Sequence, residues 1–459
     1  MDKQEEIINK RKEKLTFLFK KKRVWVAGFI IIALILGIYI RSLPMQDHNP
    51  NKEGLQPGLW DITRDDWTLG PDLDPWLFTR YAKTIVEQGE LPETDDMRYV
   101  PLGFDPESET RLLPYMIAGN YYLVNLFGDY SIYFAAALFP VIMFALTIIA
   151  FFLFVREIFL IKKDDESSKT KTNIISLIAT FFMIVAPVFL SRTVAGIPEK
   201  ESAAFFFMFL SFYLFLKAWK TDKIKNSVII AALAGISTAM MGAVSGLVVY
   251  IFVSVAVATF TGFILNKVGK KEFIVYSVWF LLSFALIPII GKTTLKTMLI
   301  SLDSGMEFMI FFILVVNFIL WNTKIKNIKI LNKTKLPKNI ISLIIAIVLG
   351  IILVSVIFGP GFIIEKIGQL NQILFKPVTG RWNTTVAENR QPFFTEWANN
   401  FGPFLAGIPV LFWLFFTGSV VLFKKMLKSI KNKDAWILTS VYILFFFGLV
   451  FSRYSSDSV

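Results

Sequence analysis

The chain has 459 residues, of which 55% are hydrophobic, and it combines a mean hydropathy of +0.58 with a formal net charge of +13. This composition excludes an ordinary soluble domain. The sequence contains no cysteine, which excludes disulfides and thiolate metal sites. Because His48 is the only histidine, a metal site would depend mainly on oxygen ligands, which favours Mg²⁺ or Mn²⁺ over Zn²⁺.

Apolar runs of spanning length predict an all-α polytopic membrane protein with about eleven transmembrane helices. The runs begin near Val24, Ser131, Asn173, Ser202, Ser227, Ser245, Glu272, Met306, Asn339, Pro403 and Ala435. No convincing cleavage site follows the first run, which we interpret as a retained helix and not as a signal peptide.

Positive charge is concentrated in the N-terminal tail and in alternate connections between these runs. The basic connections are Arg156–Thr172, Lys217–Asn226, Asn266–Lys271, Asn322–Lys338 and Lys424–Asp434. By the positive-inside rule, they lie in the cytoplasm with the N-terminus, and the acidic loops are external. The basic excess therefore indicates topology and not a nucleic-acid partner.

The predicted organisation has two long external loops. It consists of a basic amphipathic cytoplasmic segment (1–23), TM1 (24–43), a first external loop (44–129), TM2 to TM9 (130–358), a second external loop (359–402), and TM10 to TM11 (403–459). Within the first external loop, helices are expected at Pro75–Gln88 and Arg111–Phe127. Loops of this length between membrane helices are more often functional than idle.

Three acidic clusters occur on the predicted external side. They are Asp72-Leu73-Asp74-Pro75-Trp76 ahead of Arg80, Glu199-Lys200-Glu201 after Ser191–Gly196, and Thr385-Val386-Ala387-Glu388. A hard divalent cation needs carboxylate oxygens that converge from different parts of a fold, and Asp74, Glu199 and Glu201 are suited to supply them. Carboxylates beside a helix end at membrane depth are costly unless they bind something or face water.

The three clusters together resemble motifs of the membrane catalytic subunit of oligosaccharyltransferase in its archaeal form. Asp74-Pro75-Trp76 with Arg80 is similar to the family's Asp-Pro-aromatic segment. Ser191–Gly196 and the Glu199-Lys200-Glu201 triplet are similar to Ser-Arg-Ser-Val-Ala-Gly followed by an acidic-x-acidic triplet. Glu199 departs from the family, which more often has Asp there. Thr385–Glu388 is similar to Thr-Ile/Val-x-Glu in the fifth external loop.

The resemblance implies a GT-C-like fold and protein N-glycosylation. An oligosaccharide would pass from a dolichyl or polyprenyl phosphate or pyrophosphate carrier to Asn in Asn-x-Ser/Thr of acceptor polypeptides, at the external face of the cell membrane. The implied residues are Asp74 and Glu388 for catalysis, Asp74, Glu199 and Glu201 for Mn²⁺ or Mg²⁺, and Arg453 and Lys200 for the donor phosphate. Apart from membrane lipids, the expected partners are the lipid-linked donor and the acceptor.

The chain departs from the family pattern in one large respect. Family members usually have thirteen helices and then a soluble domain with Trp-Trp-Asp-Tyr-Gly, a motif that does not occur in this sequence. The expectation is therefore either an N-terminal part that lacks the acceptor-recognition domain or a chain that a second polypeptide completes. Two alternatives stay open. Another polyprenyl-phosphate-sugar-dependent GT-C glycosyltransferase would share the first-loop acid, whereas a transporter would show charges at mid-membrane and related halves.

Overall fold

The computed structural model describes residues 22–46, 58–106, 109, 111–160, 165–291, 293–323, 336–375 and 394–428. Helices account for most of these residues, as predicted. They are α1 (Lys22–Ser42), α2 (Asp74–Gln88), α3 (Leu112–Val124), α4 (Ile132–Phe159), α5 (Glu166–Val185), α6 (Pro187–Leu190), α7 (Lys200–Lys220), α8 (Ile224–Val244), α9 (Val248–Ile264), α10 (Lys270–Ile290), α11 (Leu295–Ile300), α12 (Leu302–Asn322), α13 (Lys338–Phe358), α14 (Gly361–Phe375), α15 (Phe394–Asn399) and α16 (Val410–Lys428). A short antiparallel pair, β1 (Trp60–Asp61) and β2 (Asp66–Trp67), forms a hairpin in the first external loop.

Seven helices in this part of the chain are long and apolar enough to cross a membrane, which confirms a polytopic membrane protein. The candidate spans are Val24–Met45 (α1 with the 3-10 turn Leu43–Met45 that follows it), Ile132–Phe159, Lys200–Lys220, Ile224–Val244, Lys270–Ile290, Ser304–Asn322 and Lys338–Phe358. The runs predicted from Asn173, Ser245 and Pro403 are helical as α5, α9 and α16. The run from Ala435 lies outside the described residues.

The chain forms two compact units. Unit 1 contains the residues up to Gly89 and Pro114–Phe209. Its helices α1, α4 and α5 pack against one another. The α1–α4 contact is close because Gly37 faces Phe144, where a Cβ would lie 3.3 Å from the ring. Small residues of α4, including the fully buried Ala137, also permit this approach.

Unit 2 contains Glu90–Leu113 and the chain from Leu210 onward. Its closest helix pair is α8 and α10, which meet where Gly235 lies against the backbone of Trp279. The Trp279 indole N–H donates to the hydroxyl of Thr238 at 3.0 Å, so this buried polar contact is satisfied.

The second long external loop contains more regular structure than predicted. The helices α14 and α15 both lie between residues 359 and 402, and α16 begins at Val410 instead of Pro403. Pro409 and the left-handed pair Ala406-Gly407 (φ of +50° and +78°) interrupt the apolar run. A tight turn therefore precedes the helix.

Candidate functional site

The segment Ser191–Glu199, named here the acidic turn, connects α6 to α7 in unit 1. The backbone N–H of Gly196 donates to the carbonyl of Ala137 at 3.0 Å, and the Gly196 carbonyl accepts from the N–H of Gly70 at 2.8 Å. Gly196 has a φ of +88°, and a Cβ there would lie 2.8 Å from the Leu59 side chain. Because only glycine fits this backbone without strain, the sequence fixes the acidic turn against α4 and the first external loop.

A fully buried arginine at the end of α1 provides a second attachment for the acidic turn. The guanidinium of Arg41 donates to the hydroxyl of Thr193 at 3.1 Å and to the carbonyl of Ile184. It also lies 3.5 Å from the centroid of the Phe144 ring, a cation–π contact. The Arg41 carbonyl accepts from the N–H of Ala195 at 2.9 Å. One residue of α1 thus contacts both the side chains and the backbone of the turn.

Three charged side chains meet at the end of the acidic turn. Arg192 Nη1 donates to Glu199 Oε2 at 2.7 Å and lies 3.8 Å from Asp72 Oδ2. The carboxyl groups of Asp72 and Glu199 also form a hydrogen bond. Glu199 is only 3% exposed, whereas Asp72 is exposed at the surface of the loop. The first external loop and the acidic turn therefore share one charge cluster.

This geometry separates the acidities of the two carboxyl groups. Burial and the hydrogen bond that the Glu199 carboxyl group donates to Asp72 raise the pKa of Glu199 to about 7, against the opposing effect of Arg192. The same bond to Glu199 lowers the pKa of Asp72. When the pair holds a proton, Glu199 is therefore the carboxyl group that carries it, and Asp72 accepts the hydrogen bond.

The other predicted residues with described positions lie near helix ends. Asp74 is exposed in the first turn of α2, and Glu201 is half-buried in the first turn of α7. The Glu201 charge acts on Arg192. Lys200 is half-buried, with its Nζ 5.4 Å from the centroid of the buried Phe78 ring of α2. The amphipathic helix α2 thus packs its apolar face close to the start of α7.

The predicted metal ligands are Asp74, Glu199 and Glu201, and the acid that contacts Glu199 in the structure lies outside this set. Glu199 contacts Asp72, and within the described residues no three acidic or histidine side chains converge closely enough to hold a metal ion. The grouping of Asp74 with Glu199 and Glu201 therefore stays a prediction. Glu388 and Arg453 lie outside the described residues, so their roles stay predictions as well.

Sequence reasoning assigned no role to Arg41, Asp72 or Arg192. Asp72 lies two positions before the predicted ligand Asp74. Arg192 is the basic residue of the Ser-Arg-Thr-Val-Ala-Gly motif, and its position shortly before two acids indicates an ion pair in this turn. Nothing in the sequence distinguishes Arg41 from an ordinary arginine at a helix end, because its partners are more than 100 positions away.

Comparisons with known proteins agree on the family and the fold. The family profile "Oligosaccharyl transferase STT3, N-terminal" matches residues 62–452. No curated protein matches the chain in sequence at a significant level.

Solved structures of the oligosaccharyltransferase of Archaeoglobus fulgidus have a similar fold. One, in complex with an inhibitory peptide and a dolichol-phosphate, has a TM-score of 0.67 at 18% identity over 95% of this chain and 49% of that chain. Another, tethered with an acceptor peptide containing the NVT sequon, has a TM-score of 0.65 at 17% identity over 95% and 48%. A third, in complex with Zn and sulfate, has a TM-score of 0.53 at 16% identity over 93% and 50%. The chain thus spans about half the length of these relatives.

Proposed function

This chain belongs to the oligosaccharyl transferase STT3 family, and on that premise we propose that it transfers an oligosaccharide from a lipid phosphate or pyrophosphate carrier to Asn in Asn-x-Ser/Thr. The observation that carries the proposal is the buried Glu199 in a turn fixed by Gly196, in contact with the first external loop through Asp72. A carboxyl group buried beside a spanning helix is expensive unless it serves a function. One relative is in complex with an inhibitory peptide and a dolichol-phosphate, and another is tethered with an acceptor peptide containing the NVT sequon; the carrier lipid and the acceptor are of the proposed kinds.

We propose that Asp74, Glu199 and Glu201 hold Mn²⁺ or Mg²⁺. Their oxygen ligands suit a hard divalent cation. A relative in complex with Zn supports a divalent metal without selecting its identity. When bound, the cation would neutralise charge on the leaving phosphate.

The remaining roles belong to side chains that orient the substrates. An amide nitrogen is a poor nucleophile, so transfer depends on holding it beside the anomeric carbon. The exposed Asp74 and the predicted Glu388 would grip the acceptor amide. Lys200 and Arg453 would contact the donor phosphate, and the Phe78 ring would restrain the Lys200 stem.

The most direct test is a transfer assay on the complete gene product with a lipid-linked donor and a labelled Asn-x-Thr peptide. We expect Asp74→Ala to reduce transfer by about 100-fold or more, since positioned charged groups contribute about 10²–10³ to rate. A chelator should abolish transfer, and Mn²⁺ or Mg²⁺ should restore it. Asp129→Ala, which removes an exposed acid of the same loop, is the matched control and should transfer normally. Full activity of Asp74→Ala, or transfer in chelator, would refute the assignment.

We also propose a topology of eleven spans with a cytoplasmic N-terminus and an external active site. It keeps the predicted boundaries at 23, 43, 129, 358 and 402. Beside the seven helices that are long and apolar enough to span, it counts α5, α9 and α16, and the run from Ala435, outside the described residues, as the eleventh span. The charge asymmetry of the connections supports the orientation.

The orientation is tested by single cysteines at two exposed positions, Asp129 in the first external loop and Asp222 in a basic connection. Because the chain has no cysteine, labelling is specific. A membrane-impermeant thiol reagent added outside sealed cells should label Asp129→Cys alone, and Asp222→Cys only after the membrane is opened. Labelling of both from one side would contradict the predicted number of spans between them.

A further inference from the structure

An apolar surface lies at the end of α13 and along α14 in unit 2, and it takes no part in the proposed site. The helix α13 is long and apolar enough to cross a membrane, and it is mostly exposed in the structure, so its outer surface is suited to contact with lipid. Its last turn carries Val356, Ile357 and Phe358, all exposed, and Val356 reaches 80%. Exposed apolar side chains suited to contact with lipid thus continue to the final residue of α13.

A two-residue connection joins α13 to α14. Gly359 closes α13 with its N–H donating to the Ser355 carbonyl at 3.0 Å, and its φ of +86° turns the chain out of the helix. Pro360 follows and cannot continue the helical hydrogen bonding. The rings of Phe358 and Phe362 stack across this connection, with centroids 4.8 Å apart. The two helices therefore form one continuous apolar surface that changes direction at Gly359.

The helix α14 is amphipathic. Ile364, Ile367 and Leu370 recur at a spacing of three residues and are 74%, 61% and 44% exposed. The polar groups lie on another face, where the Lys366 ammonium donates to Gln369 at 2.9 Å and the Gln369 amide donates to Glu365 at 3.0 Å. The apolar face is thus outward and the polar face is internally hydrogen-bonded, the pattern of a helix at a membrane surface.

We propose that α14 lies in the interface of the lipid bilayer that α13 crosses, with Ile364, Ile367 and Leu370 immersed in lipid. The occupant is the bilayer itself, because the outward face of α14 continues the lipid-facing surface of α13 across the Phe358–Phe362 stack. Such helices bury their apolar face about 5–10 Å into the boundary between headgroups and acyl chains. The proposal depends on the spanning helix α13 and not on the transferase activity.

The test uses nitroxide labels on single cysteines in the full chain, reconstituted in phosphatidylcholine vesicles. Ile367→Cys and Glu365→Cys form a matched pair, two residues apart on opposite faces. Ile352→Cys, on the exposed surface of α13, is the reference for the hydrocarbon core. Collisions with O₂ report immersion in lipid, and collisions with a water-soluble nickel chelate report exposure to water.

We expect the O₂-to-nickel collision ratio to be about tenfold higher at Ile367 than at Glu365, and to be intermediate between Glu365 and Ile352. Equal, water-like ratios at both positions would overturn the proposal by placing α14 in solvent. Low collision rates with both reagents at Ile367 would overturn it by showing that protein covers this face. Because no glycan transfer is measured, neither result bears on the proposed enzyme.

Discussion

The acidic turn of unit 1 and the helix α14 of unit 2 lie in regions predicted to be external, yet they are held by different means. The acidic turn is fixed from within the protein by backbone bonds at Gly196, by the buried Arg41 and by the ion pair of Glu199. The helix α14 turns its apolar face outward, and its polar contacts join neighbours on the same helix. A substitution should therefore be costly in the turn and mild in the helix.

Matched glycine substitutions should give the largest difference between the two regions. Gly196→Ala forces φ of +88° on a residue with a Cβ and places that Cβ 2.8 Å from Leu59. Strain and overpacking together should lower the free energy of unfolding by about 3 kcal/mol. Gly368→Ala in α14 meets nothing within 4 Å and should be neutral or stabilising by up to about 1 kcal/mol. Thermal unfolding in detergent measures both.

A second glycine in unit 1 tests whether this unit is sensitive to any glycine substitution. Gly119 lies in α3, and a Cβ there also meets nothing within 4 Å. Gly119→Ala should therefore behave like Gly368→Ala and not like Gly196→Ala. Equal losses at positions 119 and 196 would show that unit 1 is generally sensitive and that the acidic turn is not specially constrained.

Replacement of the buried arginine should have the next largest effect. Lysine at position 41 keeps the charge but cannot reach Thr193 and Ile184 together while stacking on Phe144. Arg41→Lys should cost about 2 kcal/mol of unfolding free energy, because buried polar partners lose their donors.

The matched control is Arg64→Lys, since the Arg64 guanidinium lies 4.4 Å from the centroid of the Tyr133 ring in the same unit but is exposed. Its cost should stay below about 1 kcal/mol. Similar Tm shifts for the two variants would mean that burial of Arg41 adds nothing to the stability of the turn.

The same contrast explains what the sequence was able to predict. Apolar runs of spanning length become helices because lipid offers no partner for an unsatisfied backbone, so the pattern alone predicts their approximate positions. The order of motifs similarly led to Glu199 and its turn. The contact of Asp72 with Glu199 joins residues 127 positions apart along the chain, and a linear motif does not specify which of two nearby acids makes it.

The helix α14 is an element that the sequence pattern does not predict. Its Ile364, Ile367 and Leu370 have helical spacing, but the run is shorter than a span and follows Gly359-Pro360, so the sequence predicts a loop there. A threshold set for crossing the bilayer misses a helix that is too short to cross it.

The smallest expected difference in the free energy of unfolding is between substitutions of two basic side chains, Arg192 in the acidic turn and Lys366 in α14. Arg192 faces the buried Glu199, whereas Lys366 contacts Gln369 on its own helix. Lys366→Gln should change the free energy of unfolding by less than about 0.5 kcal/mol at any pH. Arg192→Gln should cost about 1 kcal/mol, reduced from the value for a fully buried pair because the Arg192 side chain is 40% exposed.

The pH dependence of the destabilisation by Arg192→Gln tests whether Arg192 acts through the charge of Glu199. Since the pKa of Glu199 is raised to about 7 in the folded state, from an ordinary value of 4.5, the folded protein binds the extra proton between these values and loses stability as the pH rises through 7. Above pH 7 Glu199 is an anion that needs Arg192; at about pH 6 it is largely neutral and does not. In chelator, so that no metal replaces the arginine, the difference in Tm between the parent chain and Arg192→Gln should therefore be larger at about pH 8.5 than at about pH 6. A difference that is constant with pH would show that Arg192 acts by packing and not by compensating the charge of Glu199.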